Sequence, residues 1–245
     1  MVSWSGPIRP HVSEIPPQGW QLANEPNKSY RVGSRTLETS GGWGIKMKFD
    51  YAYSLLEARD CGSRSDLRDP LFQKVLSSFG SESISIFQVG AIESLDSGFR
   101  IGSGWSDVIF GEHIKKHGGQ ITVVDIDLDH LAHSVLMASG LGYKIQPIYG
   151  DAVDYIEGGH DLYYLDGADE TQDTKIGGNK QTLEQFKKIE HTKSVVIVDD
   201  AKTKAVDLIK YLNEKEIAFA THEIKLPHKA TIISTMIIVD MRENL

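Results

Sequence analysis

The chain has 245 residues, 40% hydrophobic and 24% charged, enough to bury one sizeable α/β core, and its single cysteine, Cys61, excludes an intramolecular disulfide framework. A net charge of −8 without a dense Lys/Arg run argues against nucleic acid as the main partner, and no apolar run approaches the roughly 20 residues that cross a bilayer. The N-terminus lacks the basic-then-apolar layout of a signal peptide, which with the lone cysteine points to a reducing cytoplasm.

Residues 1–48 are rich in Pro, Gly, Ser and Asn and carry no sustained apolar periodicity, so they read as an arm or lid. Trp4, Trp20, Tyr30 and Trp43 imply that this arm packs on something, either the domain's own surface or the roof of a ligand site. A helical lead-in is expected over 49–83, where Phe49, Tyr53 and Leu56, then Leu71, Phe72, Val75, Leu76 and Phe79, recur at spacings of three and four around a turn at Cys61-Gly62-Ser63. From 84 to 245 strands and helices alternate. Strands are expected at 84–89, 121–125, 144–149, 162–165, 195–198 and 218–224, with helices at 107–116, 129–139, 151–157, 182–189 and 202–215. The last apolar run, 231–239, follows Pro227-His228 with no room for a crossover helix, so it returns antiparallel. The expected fold is α/β: a Rossmann-like, seven-stranded, mostly parallel sheet with an antiparallel last strand and helices on both faces.

An open parallel sheet binds ligands beyond the carboxyl ends of its strands, and here those ends carry small residues and acids. The first strand runs into Val89-Gly90-Ala91-Ile92-Glu93-Ser94, a small-residue turn that a ligand can approach closely. The second ends in Asp125-Ile126, where an acid can accept both hydroxyls of a ribose; Asp127 or Asp129 suits the cap of the next helix better. The third ends in Tyr149-Gly150-Asp151-Ala152, and Asp151 either bonds an adenine amino group or caps the helix that follows. Asp166 ends the fourth strand and Asp199-Asp200 the fifth, so three carboxylates converge on one rim, as a hard divalent cation requires.

Taken in this order, with Leu165-Asp166-Gly167-Ala168-Asp169, Val198-Asp199-Asp200 and the antiparallel seventh strand, the span from Ile84 to Asp240 resembles the class I S-adenosylmethionine-dependent methyltransferases. Within that class, Leu-Asp-Gly plus Val-Asp-Asp is similar to the metal-assisted small-molecule O-methyltransferases of the catechol and antibiotic-sugar types. The resemblance implies S-adenosylmethionine held by Gly90, Ala91 and Glu93, by Asp125 and Ile126, and by Asp151, Ala152 and Asp166. It implies Mg²⁺ on Asp166, Asp199 and Asp200. The acceptor would be a small hydroxylated molecule, a sugar or phenol, whose oxygen the metal places behind the methyl group and makes nucleophilic. Asp166 and Asp169 would be catalytic, Asp169 as the base, with His113 and Lys175 as weaker alternatives. The chain departs from that pattern at three places: an insertion over 92–105, Asp169 where the catechol type has Lys and the antibiotic-sugar type often has His, and Asp200 where the catechol type has Asn.

Three rivals make different demands. An NAD-dependent oxidoreductase using Asp125 on a ribose requires a compact Gly-x-Gly-x-x-Gly after 84–89, which is absent. A nucleotide-sugar glycosyltransferase is imitated by Asp125-Ile-Asp127-Leu-Asp129, although the alternation of strands and helices continues well past it. A non-catalytic S-adenosylmethionine-binding protein would not need Asp166, Asp199 and Asp200 intact. Gly102-Ser-Gly104 follows no strand, so Ser106 or Asp107 is expected to cap a helix. His130 and His133 share a helix without a third zinc ligand nearby. Trp105, Tyr163 and Tyr164 read as packing residues, Trp105 being the one best placed to touch a ligand. A homo-oligomer is compatible with all of this.

Overall fold

A computed structural model describes residues 29–32, 35–38, 64–95, 105–167, 177–225 and 232–242. Most of the expected arm, the first of the two lead-in helices, Asp169 and Lys175 lie outside the described residues. Within the arm, β1 (Ser29–Val32) and β2 (Arg35–Glu38) form an antiparallel hairpin that pairs Ser29 with Glu38 and Val32 with Arg35. Tyr30, Val32, Thr36 and Leu37 favour extended backbone. Strands of four residues are too short to stand out as a periodic pattern in the sequence.

The main body begins with α1 (Arg64–Ser77) and continues as β3 (Ile84–Val89), α2 (Ser106–His117), β4 (Gly119–Asp125), α3 (Leu128–Leu141), β5 (Gln146–Tyr149), α4 (Ala152–Tyr155), β6 (Leu162–Leu165), α5 (Gly178–Ile189), β7 (Val195–Val198), α6 (Ala201–Lys204), α7 (Val206–Glu214), β8 (Ala220–Lys225) and β9 (Ile232–Asp240). The sheet order is β5-β4-β3-β6-β7-β9-β8. β9 runs antiparallel between β7 and β8, and the pairs from β5 through to β7 are all parallel. This is the Rossmann-like, mostly parallel sheet expected, with its antiparallel last strand.

The central strands form because both their faces are covered. Leu162-Tyr-Tyr-Leu165 and Val195-Val-Ile-Val198 are buried at every position, so they read as continuous apolar runs and not as alternating ones. Successive side chains still alternate: Ile86, Val123 and Tyr164 pack with Phe72 and Phe110 on one face, while Phe87, Val89, Tyr163 and Leu165 pack with Phe186 and Leu208 on the other. Among the described residues no helix is long and apolar enough to cross a membrane.

Two local expectations are corrected. The helix expected over 202–215 is broken into α6 and α7 at Ala205, whose φ of −131° and ψ of 22° are non-helical, five residues after Asp200 turns the chain through the left-handed region (φ 48°). The N-cap of α2 is Trp105, without a side-chain cap; Ser106 and Asp107 lie in the first turn and are buried. Asp127 caps α3 as expected, its Oδ1 accepting from the amides of Asp129 and His130 at 2.8 and 3.3 Å.

Candidate active site at the switch point of the sheet

The strand order reverses between β3 and β6, and there the β3 turn meets the end of β6. Gly90 has φ 91°, and a Cβ on it would stand 2.4 Å from the carbonyl oxygen of Asp166. Only glycine permits that approach. The turn is pinned along its length. Gln88 Nε2 donates to the Gly90 carbonyl at 2.7 Å, the Ala91 amide to Asp125 Oδ2 at 2.7 Å, and the Ile92 amide to Ser134 Oγ at 2.9 Å. His133 Nδ1 lies 3.2 and 3.0 Å from the carbonyl oxygens of Ile92 and Glu93, so His133 is an anchor of the turn and not half of a zinc pair.

On the β4–β5 side, Asp125 also accepts from the Asp127 amide at 2.8 Å, and His130 Nδ1 stands 3.6 Å from its Oδ2. Hydrogen bonding and charge from Asp125 raise the His130 pKa above its ordinary value, against a partial loss of solvent. Asp151 caps α4 through the Val153 amide at 3.0 Å and also takes Gln181 Nε2 at 2.9 Å. Ala152 is buried beneath it, while Ile126 and Tyr149 stay 49% and 41% exposed at the strand ends and offer apolar surface beside Asp125. The Glu93 side chain is exposed. Trp105, expected to touch a ligand, is buried against Ile92, Val108 and Met137.

Asp107 lies behind this region, fully buried, with no described residue in hydrogen-bonding geometry to either carboxylate oxygen. Burial pushes its carboxyl up to about 6, against the opposing pull of nearby Ser134 and Gln88. His113, the alternative base, lies two turns into α2 with its ring 4.7 Å from that of His117, and burial and that neighbour lower its pKa.

On the β6–β7 side the three expected metal ligands do come together, through partners that sequence reading did not supply. Asp199 is inaccessible to solvent. Its Oδ2 takes Arg68 Nη2 at 2.6 Å and the Tyr164 hydroxyl at 2.8 Å, and its Oδ1 takes the Ser234 hydroxyl and the Asp200 amide, each at 2.7 Å. Asp166 Oδ1 takes Lys204 Nζ at 2.8 Å, and its Oδ2 lies 3.2 Å from the Tyr164 hydroxyl. Asp200 lies 4.0 Å from both Arg68 and Lys204. Burial opposes the charge on Arg68, yet Tyr164 and the three aspartates raise its pKa further above the ordinary arginine value. Burial and then Asp166 raise the Asp199 carboxyl, with Arg68 and Ser234 opposing. Tyr164, wholly buried beside two carboxylates, is held protonated. It is more than the packing residue it resembles in sequence: its ring packs edge-on against Phe72 and Phe110 while its hydroxyl reaches both acids.

The two implied ligands fit this geometry differently. An adenosine-bearing cofactor fits the β3–β4–β5 side, where Asp125 keeps acceptor capacity beside the exposed apolar surface of Ile126 and Tyr149. Mg²⁺ does not fit the Asp166, Asp199 and Asp200 set. That ion needs oxygen lone pairs at about 2.0–2.1 Å in octahedral order, whereas the oxygens of Asp199 are already taken by Arg68, Tyr164, Ser234 and a backbone amide. Among the described residues no cluster of three or more His, Cys, Asp or Glu is disposed to hold a metal.

Of the side chains missed in the sequence, Lys204 left a signal, four residues after Asp200 on a helical stretch. Arg68, 131 residues before Asp199, left none.

No protein-family model matches the chain, and no curated protein matches it. Solved structures do. A Listeria monocytogenes protein assigned to the class I S-adenosylmethionine-dependent methyltransferases is 10% identical over 81% of this chain and 69% of its own, with a TM-score of 0.51. The N-methyltransferase NodS from Bradyrhizobium japonicum, in complex with S-adenosylhomocysteine, is 11% identical over 78% of this chain and 97% of its own, with a TM-score of 0.50. The chain spans 45% of the length of a further match, PH0851, at 15% identity over 68% of this chain and a TM-score of 0.47. The chain has the fold of the Rossmann-like methyltransferases.

Proposed function

We propose that the chain is an S-adenosylmethionine-dependent methyltransferase that transfers the methyl group to a hydroxyl of a small molecule. The observation that carries this reading is the meeting of Gly90 and Asp166 at the switch point, one strand away from Asp125, which lays a close-approach turn, a ribose-accepting acid and a second acid along one rim. The fold shared with NodS, whose structure contains S-adenosylhomocysteine, supports the choice of cofactor over NAD. So does the absence of a compact dinucleotide fingerprint after β3.

In this reading each residue has a stated task. The Gly90-Ala91 backbone lets the cofactor lie against the turn, with Glu93 at its far side. Asp125, fixed by the Ala91 and Asp127 amides, accepts the ribose hydroxyls through its remaining lone pairs. Ile126 lies against the adenine, and Asp151 and Ala152 bound its edge, with Gln181 orienting Asp151. Bound there, S-adenosylmethionine supplies an electrophilic methyl group on a sulfonium. Asp166 and Asp200, the carboxylates of the cluster with some solvent exposure, receive the acceptor's O–H and take up its proton. A net charge of −8 and a rim of carboxylates favour a small neutral acceptor over a polyanion.

Calorimetric titration of S-adenosylmethionine and NAD⁺ into the purified full chain tests the reading. S-adenosylmethionine should bind and NAD⁺ should not, and Asp125→Asn should weaken binding by about 10-fold or more, since a charge-assisted hydrogen bond contributes about 1.5–3 kcal/mol. A wild-type chain that does not bind S-adenosylmethionine overturns the proposal.

A further inference from the structure

We propose that Arg68 and Lys204 provide, from the chain itself, the positive charge that a divalent cation would bring to this rim, so that the Asp166, Asp199 and Asp200 cluster works without metal. Each cation spans two carboxylates, as a shared metal ion would. Arg68 Nη2 is 2.6 Å from Asp199 and 4.0 Å from Asp200, and Lys204 Nζ is 2.8 Å from Asp166 and 4.0 Å from Asp200. The Arg68 side chain is 2% exposed and that of Lys204 11%. A guanidinium this deeply buried persists only where carboxylates compensate it. The two cations come from different elements: α1, which precedes the alternating core, and α6, the short turn of helix that follows Asp200 in its left-handed conformation. A divalent ion entering the cluster would have to displace both, because it would stand within a few ångströms of two like charges in a largely buried site.

Ion pairs that merely secure the fold leave no oxygen set arranged for a metal, so their removal would produce no saturable divalent site, and this separates the two roles. The proposal concerns charge at the rim and stands apart from the identity of the transferred group. Full-length chain stripped with EDTA is titrated with Mg²⁺ and Mn²⁺ by calorimetry and melted with and without each ion. The wild type should show no saturable binding and no shift in melting temperature. Lys204→Gln, which removes a positive charge from beside Asp166 and Asp200, should gain a divalent site: at about ten times its Kd, Mg²⁺ should raise the melting temperature by about 3–6 °C. A further Asp166→Asn should abolish that gain. Saturable divalent binding by the wild type that is lost in Asp199→Asn overturns the proposal, as does a folded Lys204→Gln that gains none. Should Lys204→Gln fail to fold, the wild-type titration decides alone. S-adenosylmethionine titrated into the same wild-type sample keeps the outcomes separate, since its failure to bind sinks methyl transfer and leaves the metal result standing.

Discussion

On the β3–β4–β5 side of the switch point the acids are met mainly by neutral donors, the Ala91 and Asp127 amides for Asp125 and the Val153 amide and Gln181 for Asp151, whereas on the β6–β7 side Asp166 and Asp199 are met by Lys204 and Arg68. Amides orient a carboxylate while leaving its charge and several lone pairs available, which suits recognition of ligand hydroxyls. Cations cancel the charge and hold the carboxylates against one another, which suits a preorganised floor under a reaction. The same side chain at the same place on neighbouring strands thus serves different ends, and the partner decides which.

The largest effect that separates the two sides comes from removing a cation. Arg68→Met leaves Asp199 buried without its counter-ion, and should cost about 3–5 kcal/mol in urea-induced unfolding. Asp125→Asn, on the amide side, should alter stability by less than about 1 kcal/mol while weakening the cofactor. Equal losses from the two changes would erase the contrast.

Asp107 tests what happens when burial outweighs what the neighbours of a carboxylate supply. Its folded pKa of about 6 lies above the ordinary 3.8, so the folded chain holds this proton where the unfolded chain releases it. Stability from this group is therefore fully present below about pH 4, falls as pH rises toward 6 and stays low above it, a loss on the order of 3 kcal/mol. Asp107→Asn should remove that decline, read as a flatter profile of unfolding free energy between pH 4 and 7. A variant that keeps the wild-type slope would assign the decline to other groups.

The two halves touch at Gly90. Gly90→Ala puts a Cβ against the Asp166 carbonyl in a left-handed backbone and should cost about 1–3 kcal/mol. Gly80→Ala is the control: it shares a positive φ (62°) but meets nothing within 4 Å, so it carries the backbone term alone, about 1 kcal/mol. The excess at Gly90 measures how tightly the halves are joined, and no excess would mean that they are not.

Much of this arrangement was legible in the sequence because buried parallel strands are continuous apolar runs that end in acids, as at Leu165-Asp166 and Val198-Asp199. The return of β9 followed from the short span after Pro227. Ala205 gave no sign of a helix break, since neither glycine nor proline stands there. Asp107 looked like a cap because Ser and Asp near a helix start are so often caps, and its burial comes from packing that local pattern does not encode. The three rim aspartates looked like a metal site for a related reason: one sequence reports the acids at the strand ends but not that an arginine from α1 folds into their midst.

His130 gives the smallest effect and the finest view of the amide side. Its imidazole stands beside Asp125, 3.6 Å away and 31% exposed, and Asp125 raises its pKa. A raised pKa means that its stabilising charge is fully present below the unfolded value near 6.5 and is lost as pH rises through the folded value. For a partly exposed pair this is worth about 0.2–1 kcal/mol and falls with added salt. His130→Ala should therefore lower unfolding free energy slightly at pH 6 and hardly at all at pH 9, with the pH 6 difference shrinking in high salt. A difference that grew with pH would mean that neutral His130 is the form that matters, and Asp125 would then be held by its two amides alone.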